Sequence, residues 1–442
     1  MKVINALLAG IIAASMIACA STGGSQNGNH IKSVTAIGVV FGDGEKLAAV
    51  AVEYDAEIAA DSLDINDYSV EGNTITAVYV NSLPQRTEQA KSGNYVLLEL
   101  AVAAPNVESS MPGHGGGGQR PERNAGGGGG GGITIKVGGN PEPVVSDGSS
   151  LPQLKAVITQ TGDIKTADGR VYTAVNRAVT STAQVNEIVD EFTQHVFTDP
   201  ATGTSLRYNL FIPSGYDPSH SYPLLLFMPD ASGTGKDTAY TLTQGLGAVV
   251  WASAKEQAKH PCFIIAPNFD YTNVDDDWNV SSQVDTVAAV IKETIRNYAI
   301  DSGRIYTTGQ SGGCMSSIVL MLRNPDLFAG AMLVAGQWDT NVISPLSEQN
   351  LWILVCEGDN KATPYMNEAV ALWHGKGVTV TEATWPPAAS ENEQADNAAA
   401  MASQNSHIKY THFIGGSHIY TWQIAYSIEG VRDWLFAQVR TK

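Results

Sequence analysis

Apolar positions along the chain change their rhythm at Leu206. Before it, Ile31–Phe41, Leu47–Tyr54, Thr74–Val80 and Tyr95–Val102 are short runs rich in Val, Ile, Thr and Ala, separated by Gly, Asp, Asn or Pro. Runs of that length, closed by turn-forming residues, predict strands of a sandwich-like all-β unit. Phe41-Gly-Asp-Gly44 and Val70-Glu-Gly-Asn73 read as two of its turns. Residues 113–132 then form a low-complexity tract with glycine runs at 115–118 and 126–132. Such a tract has much backbone entropy to lose and few side chains to pack, so a mobile loop is expected there. Strand pattern resumes at Ile133–Val137, Ala156–Thr159 and Val171–Val175, so the tract interrupts the β unit rather than ending it. The boundary is placed near Thr180, with Val185–Val196 opening the second unit.

From Leu206 onward, continuous apolar strands alternate with longer helical segments. Tyr208–Ile212, Leu224–Met228, Cys262–Ala266, Ile305–Thr308, Ala331–Ala335, Leu351–Cys356, Val378–Ala383 and Ile408–Phe413 read as strands. Val284–Tyr298 places Val287, Val290, Ile291, Ile295 and Tyr298 on one side at helical spacing. Cys314–Leu322, Tyr365–Trp373 and Tyr426–Val439 are the other expected helices. Continuous apolar strands between helices predict a mainly parallel sheet covered on both faces, with reactive residues on loops at the carboxyl ends of the strands.

The length of 442 residues exceeds one ordinary core, which agrees with two units. Against 44 Asp and Glu stand 26 Lys and Arg, a net charge of −18 that disfavours binding to a phosphate backbone, so nucleic acid is not an expected partner. Lys2 followed by the compact apolar run Val3–Ala18 makes residues 1–18 read as a secretion signal. Ile17-Ala-Cys19 resembles the lipobox of bacterial lipoproteins, which implies a lipid on Cys19 and a polar tether over residues 19–30. The expected location is then outside the cytoplasm, at the cell surface or in the periplasm, held to a bacterial membrane. No other stretch is apolar and long enough to cross a bilayer. Cys262, Cys314 and Cys356 each lie in or beside an apolar segment and read as small core residues.

Ser311 stands in the most informative context of the chain. Arg304-Ile-Tyr-Thr-Thr reads as strand, Gly309-Gln-Ser-Gly-Gly313 as a sharp turn and Cys314–Leu322 as helix, the surroundings that a G-x-S-x-G nucleophile elbow requires. A serine hydroxyl alone is a weak nucleophile and needs a base and a group that orients the base. In chain order the acid and then the histidine follow the serine. His418 comes after a strand and a Gly415-Gly-Ser417 loop, and is preferred over His412, which lies inside the strand. Asp359 follows the strand Leu351–Cys356 through Glu357-Gly358 and is preferred over Asp339 and Glu357. The oxyanion donors expected are the N–H of Gly312 and one from the loop after Leu224–Met228, where Pro229 has no N–H and Asp230 or Ala231 remains, with Ala231 favoured. Trp278, Trp338, Trp385 and Trp422 fall on expected loops, and Trp278, Trp338 and Trp422 are candidate walls of a substrate pocket. No compact His/Cys cluster suggests a metal, and no cofactor is expected.

Four passages carry a resemblance: Leu206-Arg-Tyr-Asn-Leu-Phe-Ile-Pro-Ser-Gly-Tyr216, His260-Pro-Cys-Phe-Ile-Ile-Ala-Pro267, Ile300 through Gly313, and Gly416-Ser-His-Ile-Tyr-Thr-Trp422. With them, residues 187–442 resemble secreted α/β-hydrolase esterases related to polyhydroxybutyrate depolymerases and feruloyl esterases. Residues 31–180 resemble the immunoglobulin-like β domain that precedes some bacterial esterases of this group. The resemblance implies an α/β hydrolase preceded by an immunoglobulin-like β-sandwich. It further implies a serine carboxylesterase acting on short-chain or aryl carboxylic esters through an acyl-enzyme, with a polymeric or plant-derived ester among the substrates. A secreted polyester depolymerase or serine peptidase is the alternative within enzymes, and a non-enzymatic surface-binding lipoprotein the alternative outside them. Pro229-Asp230 stands where many relatives have His-Gly, and Glu357-Gly-Asp359 lacks the extra residues that commonly separate glycine from the acid.

Overall fold

The computed structural model describes residues 30–87, 92–103 and 150–440. The expected signal segment, Cys19, the tether up to Asn29, the glycine-rich tract 113–132 and the strand Ile133–Val137 lie outside the described residues.

In the first unit, β1 (Ile31–Phe41) and β2 (Gly44–Tyr54) form an antiparallel hairpin. With β3 (Ile75–Asn81), β4 (Tyr95–Leu100) and β5 (Ala183–Asn186) they make a five-stranded sheet of order β5-β1-β2-β4-β3. Alternation along β2 sends Val50, Val52 and Tyr54 to one face, where they meet Val34, Val96, Leu98 and Ile158. Ala49 and Ala51 go to the other face, against Ile37 and Leu97. A three-stranded sheet made of Tyr68–Val70, Val157–Gln160 and Val179–Thr180 contributes Ile158 and Tyr68 to the larger of these cores. The first sheet runs past Thr180, because β5 pairs in parallel with β1.

The second unit is built on a nine-stranded sheet of order β6-β7-β9-β8-β10-β11-β12-β14-β13. Its strands are β6 (Thr193–Thr198), β7 (Ser205–Phe211), β8 (Tyr222–Met228), β9 (Phe263–Asn268), β10 (Ile300–Gln310), β11 (Gly330–Val334), β12 (Leu351–Cys356), β13 (Val380–Trp385) and β14 (Ile408–Phe413). β7 runs antiparallel to both neighbours, and the pairs from β9 to β13 are parallel. Leu224, Leu226 and Met228 face one core and Leu225 and Phe227 the other, so the same two-residue alternation fills both sides of the sheet.

Helices α1 (Ser282–Asn297), α2 (Gly312–Arg323) and α3 (Ala362–Gly375) cover the first side, through residues such as Val287, Ile291, Ile318 and Trp373. The other side takes α4 (Glu391–Ala402), α5 (His418–Ala425) and α6 (Glu429–Phe436). Two helical expectations change here. α4, capped by Ser390, has only Ala398 and Met401 buried, so its apolar signal is thin. The expected helix Tyr426–Val439 is observed as the shorter α6, and an additional helix, α5, precedes it, the two separated by Tyr426–Ile428. The extended residue of the break is Ile428, with φ −78° and ψ 99°; before it the buried Tyr426 keeps helical angles, its hydroxyl meets Thr308 Oγ1 at 3.1 Å, and Arg432, ion-paired with buried Glu256 at 2.6 Å, donates to its carbonyl.

The two units touch at the β1–β2 turn. A Cβ added to Gly42 would lie 2.4 Å from the carbonyl oxygen of Gln423 in α5, and one added to Gly245 would lie 3.0 Å from the Gly42 carbonyl oxygen. The absence of a side chain at Gly42 lets the first unit rest directly on the backbone of α5.

Candidate active site

Ser311 sits between β10 and α2 with φ 52° and ψ −121°, a positive-φ conformation that costs a non-glycine residue about 1–3 kcal/mol. Its neighbours pay for none of this with bulk: a Cβ at Gly309 would lie 2.5 Å from Gly313 carbonyl atoms, and one at Gly313 would lie 2.0 Å from the Met228 carbonyl oxygen. Strand, elbow and helix can therefore approach only with glycine at both places. The Ser311 N–H donates to the Val334 carbonyl at 3.0 Å, which fixes the turn against β11.

The acid and the histidine meet because their strands are neighbours. β12 and β14 pair in parallel with Cys356 opposite Phe413, so the loops that leave them emerge side by side. Glu357 N–H donates to the Phe413 carbonyl at 2.9 Å, Gly358 N–H to Gly415 O at 3.1 Å, and Gly415 N–H to Glu357 Oε2 at 3.2 Å. A Cβ at Gly358 would lie 2.1 Å from Gly416 O, and Gly415 and Gly416 have φ of 62° and 68°. Those glycines allow the crossing that brings His418 back over the strand ends. His418 is the first residue of α5, behind Ser417, whose hydroxyl accepts from Tyr420 N–H.

The three side chains form one relay. His418 Nε2 is 2.9 Å from Ser311 Oγ, and His418 Nδ1 is 2.6 Å from Asp359 Oδ2. Asp359 is 1% exposed, and its Oδ1 accepts the N–H groups of Lys361 at 2.9 Å and Ala362 at 3.0 Å. With both oxygens held, the carboxylate presents one fixed edge to the imidazole, and the Nδ1–H tautomer follows.

The rival residues have other partners. His412 stays in β14, its ring tilted against that of Tyr410 at 4.2 Å; His407 meets the Ser347 carbonyl and His374 meets Glu382. Asp339 accepts the backbone and side-chain amides of Asn341, and Glu357 braces Gly415.

The oxyanion candidates also lie together. A Cβ added to Gly312 would be 3.1 Å from the Ala231 nitrogen. Among the described residues neither the Ala231 nor the Gly312 N–H has a hydrogen-bond acceptor in the protein. The Gly312 N–H further belongs to the first turn of α2, where unpaired amides and the helix dipole favour negative charge.

The tryptophans divide. Trp278, with φ 64°, packs its ring against Trp338 at 5.1 Å and Tyr365 at 5.4 Å, on the loops after β9 and β11. The same loops are tied together by Asp276, which receives Lys361 Nζ at 2.6 Å and Gln337 Nε2 at 3.1 Å. Trp422 belongs to helix α5 rather than a loop; it is buried and meets His418 edge-on at 5.2 Å, so it supports the imidazole from behind. Trp385 ends β13 and packs on Trp352 and Phe413 in the core. The cysteines are buried, and burial pushes the thiol of Cys262 up to about 12 and that of Cys356 up to about 11. Gln310 and Gln244, which flank the Ala231 loop, escaped the sequence reading, as did the side-chain role of Asp230, there weighed only as a backbone donor; the Pro229-Asp230 departure from the common pattern was the signal that pointed there.

Residues 33–173 match the Esterase Ig-like N-terminal domain, and residues 270–369 match the Prolyl oligopeptidase family. A probable acetylxylan esterase A of Aspergillus clavatus is 28% identical over 135 residues, which cover 28% of this chain and 43% of that protein. Acetylxylan esterase A of Aspergillus awamori is 30% identical over 111 residues, covering 22% of this chain and 36% of that protein. The chain thus spans about two fifths of the length of the curated relatives it matches. A crystal structure of a thermostable esterase superposes with a TM-score of 0.71 at 24% identity, covering 93% of this chain and 100% of that one. The chain has an immunoglobulin-like N-terminal domain of the esterase type followed by an α/β-hydrolase fold.

Proposed function

We propose that the chain is a serine carboxylesterase that hydrolyses short-chain or aryl carboxylic esters through an acyl-enzyme. The relay from Ser311 through His418 to Asp359, with contacts of 2.9 and 2.6 Å, carries this reading. His418 Nδ1–H donates to Asp359, which leaves Nε2 to accept the Ser311 proton as Oγ attacks the ester carbonyl. Asp359 offsets the charge of the imidazolium. The carbonyl oxygen becomes an anion and takes the N–H groups of Ala231 and Gly312, each such donor contributing about 10²–10³-fold to the rate. Collapse of the tetrahedral species expels the alcohol, protonated from His418 Nε2. Water then gives its proton to His418 and attacks the acyl carbon; the second collapse releases the acid and returns the proton to Ser311.

Ser311→Ala should lower kcat on short p-nitrophenyl esters by about 10⁴-fold or more, with an unchanged circular dichroism spectrum. Turnover that survives this substitution in purified protein would reject Ser311 as the nucleophile, whereas a parent protein with no turnover on esters or peptides would favour a surface-binding role. A peptidase is the second reading, favoured by the match of residues 270–369, which include Ser311 and Asp359, to the Prolyl oligopeptidase family. Peptide p-nitroanilides cleaved faster than esters of the same acyl group would establish it. The acetylxylan esterases among the relatives make a hydroxylated, plant-derived alcohol portion the first substrate class to assay. The apolar run Val3–Ala18, whose last residues Ile17-Ala18 directly precede Cys19, supports export and lipidation at Cys19. In a bacterial host, labelled fatty acid should enter the full chain and not its Cys19→Ser variant.

A further inference from the structure

Asp230 places a carboxylate one residue before an expected oxyanion donor, where a negative charge opposes the anion that has to form. It is 7% exposed, and its side-chain partners among the described residues are all neutral. Four donors hold it. Its Oδ1 accepts Ser232 N–H at 2.8 Å, Ser232 Oγ at 2.6 Å and Gln244 Nε2 at 3.2 Å, and its Oδ2 accepts Gln310 Nε2 at 2.9 Å. Gly233 N–H closes the turn on the Asp230 carbonyl at 2.9 Å.

These bonds join two places that the reaction needs in register. The Ser232 bonds wrap the chain around Ala231 and so set where the Ala231 N–H points. The bond to Gln310 ties that turn to the residue immediately before Ser311. We propose that Asp230 is a positioning residue, which holds the Ala231 N–H at a fixed distance and angle from the nucleophile through Gln310. This inference rests on the oxyanion role of Ala231 given above.

Position, not charge, is what the carboxylate supplies, and one detail makes the distinction testable. Gln310 is fully buried, and its Oε1 has no partner among the described residues. In Asp230→Asn, the retained Oδ1 keeps the Ser232 and Gln244 bonds, while the new Nδ2 faces Gln310. Rotation of the Gln310 amide by half a turn then offers its idle oxygen to Nδ2. The tie survives and the opposing charge is gone.

The experiment compares Asp230→Ala, Asp230→Asn and Gln310→Met in the full chain, with kcat and KM on a p-nitrophenyl ester and inhibition by phenylboronic acid, whose adduct with serine carries a tetrahedral oxygen. Asp230→Ala should lower kcat about 10–100-fold with KM changed less than threefold, below the loss expected for removing a donor outright. The boronate constant should weaken by a similar factor. Asp230→Asn should keep kcat within about threefold of the parent or raise it, and Gln310→Met should fall between the two. Equal losses in the Ala and Asn variants, or a loss confined to KM, would overturn the proposal. If Asp230→Ala does not fold, Gln310→Met against Asp230→Asn decides: parental kcat in the former overturns it. An inactive Ser311→Ala beside an unaffected Asp230→Ala would sink this inference alone, whereas an active Ser311→Ala would sink the esterase reading.

Discussion

Two regions of the molecule bury carboxylates, and they treat them in opposite ways. At the strand ends of the parallel sheet, Asp359 has three donors and Asp230 four, so every oxygen is held. At the junction of the two units, Glu45 at the start of β2 has neither oxygen hydrogen-bonded among the described residues. Burial, and then the charge of Asp190, raise its carboxyl from 4.5 to about 7. Removal from water thus leads to different chemistry according to the donors within reach, and the half-buried Glu45 is perturbed for want of them. Backbone N–H groups are freely available where strands end and helices begin, and scarce inside a hairpin whose amides are already paired. The edge of the parallel sheet can hold charge in place for catalysis, while the junction carries a group that resists ionisation.

The sharpest break of that contrast is to remove charge from the well-supplied region. Asp359→Asn leaves the shape intact but presents an amide to His418 and favours the wrong tautomer. Its kcat should fall by about 10⁴-fold with little change in melting temperature, measured on the same ester series. An effect below tenfold would mean that Asp359 does not set the state of His418.

The junction can be tested as a mechanical partner of the site. In Gly42→Leu the new Cβ meets the Gln423 carbonyl oxygen at 2.4 Å, so the backbone of α5, which begins at His418, has to move. A displacement near an ångström should lower kcat about 10–100-fold while the protein stays folded. Gly72→Ala is the control: its φ of 70° strains any side chain, yet nothing lies within 4 Å of the added atom. That variant should lose about 1 kcal/mol of stability and no activity. If Gly42→Leu and Gly72→Ala behave alike, the first unit does not position the histidine.

The smallest effect concerns pH. A carboxyl whose folded pKa is raised binds its proton more tightly in the folded than in the unfolded chain. Its contribution to stability is therefore complete below about 4.5 and is lost as pH rises through about 7. Glu45→Gln should flatten the fall of the urea midpoint between these pH values. An unchanged slope would show that Glu45 finds donors in solution.

Much of this was readable along the chain. Gly309 and Gly313 around Ser311 and Gly358 before Asp359 stand at close backbone approaches, and Gly415-Gly416 before His418 take positive φ. Local signals of this kind survive without tertiary context because only glycine tolerates the contacts. The helix Glu391–Ala402 was missed because it buries two residues, and the last helix begins at Glu429 rather than Tyr426 because Ile428 is extended. Trp422 looked like a loop residue at the mouth, but helix α5 turns it inward.

Sequence alone determined which residues are fit for the chemistry: a serine between glycines, a late acid and a late histidine, and apolar runs whose alternation sets both faces of a parallel sheet. The tertiary structure decided which of them touch. β14 inserts beside β12, which places His418 against Asp359, and the β1–β2 turn settles on α5. So too with Asp230, whose link to Gln310 crosses 80 residues of chain. Periodicity and steric tolerance are properties of neighbours along the chain, whereas distance across a sheet follows from strand order, which no local pattern encodes.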